Sequence, residues 1–123
     1  MKLQFFIKYF TVMQYQKKVF RYKVAVGIVN KRLRERILIN GKPMIQTYLN
    51  NDIKEKYKID WNSAREESLP NTTLQNLHLI CDYFKIDISV YFDIIKNVTD
   101  EEIDIAINSK KKLTRLYSIY LKY

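Results

Sequence analysis

Glycine and proline are nearly absent from this chain: two of each in 123 residues, with alanine hardly commoner at three. A loop that cradles phosphate needs several glycines to bring its backbone amides close, so a Gly-rich nucleotide cradle is excluded. Cysteine and histidine occur once each, as Cys81 and His78. Structural zinc takes four nitrogen or sulfur ligands, which two residues cannot supply. A disulfide scaffold fails on the same count, and a lone cysteine suits a reducing compartment. Nor is there a run of the roughly eighteen uncharged apolar residues that a transmembrane helix requires. Residues 1–12 are apolar, but Gln4 and Lys8 interrupt them and no small-residue cleavage site follows, so no signal peptide is expected. The expectation is a cytoplasmic protein without a metal, a cofactor or a membrane partner.

What is present is a globular composition: 47% hydrophobic, 14% aromatic and 28% charged residues, with a net charge of +9. The length fits one compact domain, with room for an arm. Charge is unevenly placed. Residues 1–58 hold fourteen Lys or Arg against Glu35, Asp52 and Glu55, a net of +11, whereas residues 59–123 hold eight against ten acids, a net of −2. A basic half on an ordinary scaffold half is the footprint of a polyanion partner.

Local pattern divides the chain into an arm, 1–23, a helical domain, 24–97, and a C-terminal helix within 98–123 that packs on the domain or serves in dimerisation. In the arm, Leu3, Phe5, Ile7 and Tyr9 alternate with Lys2, Gln4 and Lys8, the pattern of a strand. Residues 14–18 then form a candidate turn into a second strand, closing a hairpin. A helix or a free arm fits the same residues, and Met13 is a candidate internal start. From Val24 the period becomes helical, with Val26, Val29, Leu33 and Ile37 on one face until Asn40-Gly41. Pro43 suits a first helical turn, and Ile45, Leu49, Ile53 and Tyr57 then fall four apart. The triplet Asn50-Asn51-Asp52 either leaves that helix whole or splits it.

Further on, Asp60 is a candidate N-cap for a short helix over 61–67 that ends before Leu69-Pro70. Thr72 and Gln75 form a capping box ahead of an apolar face of Leu74, Leu77, Ile80, Cys81 and Phe84. Asp87 caps a helix carrying Ile88, Tyr91, Phe92 and Ile95. A second capping box, Thr99 and Glu102, opens a last helix that runs through Tyr120. The fold class expected is mainly α, a bundle of five or six helices.

Two stretches of this pattern resemble a known family. Lys31-Arg32-Leu33-Arg34-Glu35-Arg36 followed by Gly41 is similar to the first helix and turn of Xre/Cro-like helix-turn-helix repressors. Residues 70–77, Pro-Asn-Thr-Thr-Leu-Gln-Asn-Leu, continuing through Ile80 to Ile86-Asp87-Ile88 and Phe92, resemble that family's closing helices. The resemblance covers roughly residues 28–95. At its centre the chain departs from the pattern: Tyr48-Leu49 or Leu49-Asn50 stands in the Leu-Ala place, and no glycine turn follows. The resemblance implies a phage-repressor-like bundle and a sequence-specific DNA-binding regulator of bacterial, phage or plasmid origin, acting as a homodimer on double-stranded DNA. It further implies that residues 60–67 are the recognition helix, displaying Trp61, Asn62, Ser63 and Arg65 to base edges. An alternative register starts recognition near Asp52 and displays Lys54, Lys56 and Lys58.

The chemistry of each candidate is specific. Arginine pairs bidentately with guanine and asparagine with adenine, which suits Arg65 and Asn62. Trp61 is better suited to a core or interface anchor. Lys31, Arg32, Arg34, Lys42, Lys54, Lys56 and Lys58 are candidates for phosphate, where contacts set affinity rather than sequence choice. Glu66 and Glu67 would repel phosphate and are expected on a solvated face. In the arm, Lys17, Lys18, Arg21 and Lys23 alternate with Tyr15, Phe20 and Tyr22. Phosphate attraction is expected for the cations and dimerisation or core packing for the rings. His78 lacks a convergent carboxylate or nucleophile, and Cys81 lies on an apolar face, so no enzyme is expected. The alternative function is a non-enzymatic interaction or inhibitor protein on the same scaffold, with a protein partner.

Overall fold

A computed structural model describes residues 2–122 and shows a mainly helical bundle. Among these residues the chain forms seven α-helices and one small hairpin. The first helix, α1, runs from Lys2 to Glu35, 34 residues and about 50 Å long. This corrects the expected strand or hairpin over 1–23 and removes the expected break at residue 24. Aromatic and β-branched residues lower helix propensity by only tenths of a kcal/mol each. A hairpin, by contrast, needs a turn, and no glycine, asparagine or aspartate is available before Gly27 to make one. Thr11 donates its hydroxyl to the Ile7 carbonyl at 2.9 Å, a bond within the helix itself. Val24, Ala25, Val26, Val29 and Leu33 bury the second half of α1, while the first half projects from the domain with Phe5, Phe6 and Tyr15 exposed.

Helix α1 ends six residues before the expected glycine, Gly41. Asn40-Gly41 instead turns a two-stranded antiparallel hairpin, β1 (Leu38–Ile39) and β2 (Lys42–Pro43), with Ile39 opposite Lys42. Both turn residues have positive φ, 52° at Asn40 and 80° at Gly41, the backbone that a two-residue hairpin demands. Pro43 therefore sits in a strand, and the next helix, α2 (Gln46–Tyr57), starts three residues later. The Asn50-Asn51-Asp52 triplet does not split it. Leu49 and Ile53 are fully buried, and Lys58 closes the helix in the left-handed conformation with φ 60°.

The short helix expected over 61–67 contracts to one turn, α3 (Ser63–Glu66), capped by Asn62 rather than Asp60. Next come α4 (Leu74–Phe84), capped by Thr73 rather than Thr72, and α5 (Ile88–Lys96), capped by Asp87. Helix α6 (Asp100–Asn108) carries the full capping box of Thr99 and Glu102. The single last helix expected from there to Tyr120 breaks at Ser109-Lys110. It resumes as α7 (Lys111–Tyr117) and a 3-10 turn, Ser118–Lys122. Thr114 bridges the break by donating to the Ile107 carbonyl at 2.9 Å. The bend lets Leu113 and Tyr117 bury against α1, where Phe20 meets the Tyr117 and Tyr120 rings at 5.4 and 5.7 Å.

Candidate nucleic-acid interface

A buried polar frame holds α3 against its neighbours. Asn50 of α2 accepts both the Ser63 amide, at 3.0 Å, and the Ser63 hydroxyl, at 2.6 Å. Arg34 of α1 donates to both Glu67 carboxylate oxygens, at 2.7 and 2.9 Å, and to the Met44 carbonyl. Gln46, the first residue of α2, donates to the same carboxylate at 3.1 Å. Asn30 of α1 donates to the Glu66 carbonyl at 2.9 Å and accepts the Tyr91 hydroxyl at 2.6 Å. Three segments far apart in the chain thus meet at one helical turn. Among the described residues no buried side-chain nitrogen or oxygen lacks a partner. A half-satisfied network of this size would cost more than an apolar core.

Because the frame consumes the inner side of α3, several expected roles change. Ser63 is fully buried and Trp61 is a core residue, so neither can reach a base edge. Arg34 is not a phosphate contact; the Glu67 carboxylate holds its guanidinium in the interior and pushes its pKa up. Glu66 and Glu67 are buried, not a solvated face. Burial raises the Glu66 pKa, and Arg65 beside it opposes that rise. What α3 turns outward is Asn62, Ala64 and Arg65. Asn62 accepts the Arg65 amide at 3.2 Å, and Arg65 keeps half its side chain exposed while donating to Glu66 at 3.2 and 3.1 Å.

The candidate phosphate contacts separate into two groups. Lys42, Lys54, Lys56 and Lys58 are exposed on the hairpin and α2, and Lys54 reaches Asp60, at the entry to α3, across 3.4 Å. Lys56 pairs with Asp52 at 3.0 Å and lies over the Tyr83 ring at 5.5 Å. Hydrogen bonding from Tyr83 keeps the Asp52 carboxylate charged to lower pH than usual. Lys31 and Arg32 instead line a cleft of about 420 Å³ between α1, α6 and α7, where Arg32 pairs with Glu102 at 3.2 Å.

In the arm, Lys18 is exposed and Lys17 and Lys23 are half-buried. Arg21 is tied to Asp104 at 2.7 Å, to Asp100 at 3.1 Å and to the Tyr117 hydroxyl at 3.1 Å. Its role is to hold α6 and α7, not to meet phosphate. Burial works against its charge, but those partners outweigh it and push its pKa up. Sequence reasoning missed Gln46, Asn50 and the Asn30–Tyr91 pair. One signal was available: Asn30 and Arg34 are four apart and flank the Val26, Val29, Leu33 stripe, so both lie at the edge of the packed face.

Comparison of the chain with family models, curated proteins and solved structures finds no match. Among the described residues there is no cluster of three or more metal-ligating side chains, and no helix is long and apolar enough to cross a membrane. His78 is exposed, and burial raises the pKa of the Cys81 thiol, so that residue stays protonated and inert.

Proposed function

We propose that the protein is a sequence-specific DNA-binding regulator of repressor type, non-catalytic and cytoplasmic, that meets duplex DNA through α2 and α3. The observation that carries this reading is the two-sidedness of α3. Its inner residues are spent on the polar frame, which leaves Asn62 and Arg65 facing out beside the cations of α2. In a helix-turn-helix the first residues of the second helix meet base edges, so one rigidly held turn is sufficient. Arg65 suits guanine and Asn62 adenine; Lys42, Lys54 and Lys58 flank them for phosphate. The Xre/Cro-like pattern of residues 28–95 and the net charge of +11 over residues 1–58 support the same reading. Such regulators bind two half-sites as a homodimer.

Arg65 must exchange its ion pair with Glu66 for a base. Selection of bound sequences from a random duplex pool tests this. Arg65→Ala should relax preference at one position and weaken binding there by about 1–3 kcal/mol. Lys54→Ala should weaken all sites alike and flatten the salt dependence. If Arg65→Ala leaves both affinity and preference intact, α3 is not the reading element.

The exposed apolar half of α1 supports a second reading, a non-enzymatic interaction or inhibitor protein on the same scaffold. Absence of affinity for any duplex at about 50 mM salt, where phosphate contacts are strongest, would favour it.

A further inference from the structure

The projecting half of α1 carries a seam that the domain does not cover. Phe5, Lys8, Val12, Tyr15, Val19 and Tyr22 follow one another at alternating intervals of three and four residues, the spacing that keeps one stripe facing a partner helix. Phe5 is 73% exposed, Val12 50% and Tyr15 67%. Lower down, the same stripe runs into two open apolar grooves. One, of about 290 Å³, lies between Val19, Tyr22 and Val26 of α1 and Leu77 and Phe92. The other, of about 480 Å³, lies between Tyr15 and Val19 and the C-terminal side chains Leu116, Ile119 and Tyr120. Seam and grooves are thus complementary parts of one surface: a projecting row of side chains and the hollows that would receive it.

We infer that this surface is covered by a second copy of the chain, the two α1 helices lying antiparallel about a two-fold axis at Val12. In that register Phe5 of one protomer packs at Val19 of its partner, over the open grooves, and Val12 meets Val12. Overlap of residues 5–19 is about 22 Å of helix. Covering it removes on the order of 600 Å² from each protomer, enough for a specific interface.

Charge decides the direction. Residues 1–34 contain no acid, so parallel helices would set every lysine beside its twin, Lys8 within the seam itself. The antiparallel register places Lys8 against Tyr15 and Gln16, Lys17 against Ile7, and Lys18 against Phe6. Lys8 then has a ring face for its ammonium group in place of its own twin. The two readings fail separately: a dimer without duplex affinity removes only the DNA reading, and a DNA-binding monomer removes this one and the paired half-sites but leaves base contact by α3.

Sedimentation equilibrium of the full chain should show twice the monomer mass at about 100 µM, with dissociation on dilution. Val12→Asp sets two carboxylates together on the axis and should weaken association more than about tenfold. Its side chain is half exposed in the monomer, so the dilute thermal melt should not move. Phe10→Asp, on the face of α1 opposite the seam, should leave association intact. In a Cys81→Ser background, the double variant F5C/V19C should cross-link under oxidation while F5C alone and V19C alone should not; cross-linking of F5C alone establishes parallel helices and overturns the register. A monomer at every concentration overturns the proposal. So does a wild-type monomer that floats with phosphatidylglycerol vesicles, which would assign the arm to an anionic lipid surface.

Discussion

The two halves of α1 share one backbone and a similar supply of basic residues, yet their surroundings are opposite. From Val24 to Arg34 the helix is buried on most sides: Val29 is fully covered, and Val24, Ala25 and Val26 are nearly so. From Lys2 to Lys18 no residue is fully buried, and Phe5, Phe6 and Ile7 are more than half exposed. Helix propensity is common to both halves and decides that both are helical. Tertiary partners are not common to both, and in proteins it is packing that supplies most helical stability. The charges repeat the contrast. Arg34 is folded into a network with Glu67 and the Met44 carbonyl, whereas Lys8 and Lys18 remain at the surface.

The largest effect should come from the buried end. Glu67→Ala leaves the Arg34 guanidinium inside the domain without its counter-charge and Gln46 without its acceptor. Removing one partner of a buried pair costs about 3–5 kcal/mol. Arg32→Ala, two residues away on the same helix, breaks an exposed pair and should cost no more than about 1 kcal/mol. Urea denaturation of the two variants measures the contrast; equal losses would show that Arg34 is solvated.

Gly27→Ala comes next, and its sign separates propensity from packing. In an open helix the change gains about 1 kcal/mol. At this position a Cβ would lie 2.9 Å from the Ser68 carbonyl oxygen and 3.0 Å from the Glu67 carbonyl carbon, backbone atoms that cannot swing aside. Overpacking of that kind costs about 1–3 kcal/mol, so a net loss is expected. A stabilised variant would mean that α1 is free to move away from the turn after α3.

Legibility in the sequence followed the same division. The starts of α5 and α6 could be read because Asp87, and Thr99 with Glu102, announce themselves within four residues. The mainly helical class followed from several such periods. In the arm the sequence leaves strand and helix both open, because alternating apolar residues over 3–9 are local evidence, while the absence of a strand partner is not local. At the site, only Arg65, Asn62 and their neighbours Asp60 and Ala64 face outward within residues 60–67. Ser63, Trp61, Glu66 and Glu67 turn the other way. A helix of four residues is too short to show a period. Burial of Arg34 depends on a carboxylate 33 residues away, which no local pattern reveals.

A smaller effect tests the clamp on the buried half through pH. Burial raises the Glu66 pKa, so its contribution is fully present below the ordinary carboxylate range and is lost as pH rises through the raised value. Glu66→Gln keeps an acceptor for Arg65 and Asn76 without the charge. The wild type should therefore lose stability relative to Glu66→Gln as pH rises above the ordinary carboxylate range, measured by urea titrations at each pH. Parallel pH profiles would place the carboxylate in water.

The smallest effect belongs to the free half, and it is the counterpart of the glycine removed above. Thr11→Gly adds a glycine where the helix has no domain beneath it and deletes the hydroxyl bond to the Ile7 carbonyl. The propensity change is only about 0.5 kcal/mol, and it falls on residues whose order is not coupled to the core. In dilute protein the stability should fall by less than about 0.5 kcal/mol, although far-UV circular dichroism should report fraying. Amide exchange should show the reason: residues 5–15 open locally, while residues 24–34 open only with the whole domain. At high concentration an antiparallel α1 pair would slow exchange in residues 5–15 and make Thr11→Gly visible as weaker association. A dilute midpoint that falls as far as it does in Gly27→Ala would mean that the core already supports the arm, and that one helix does not lead two lives.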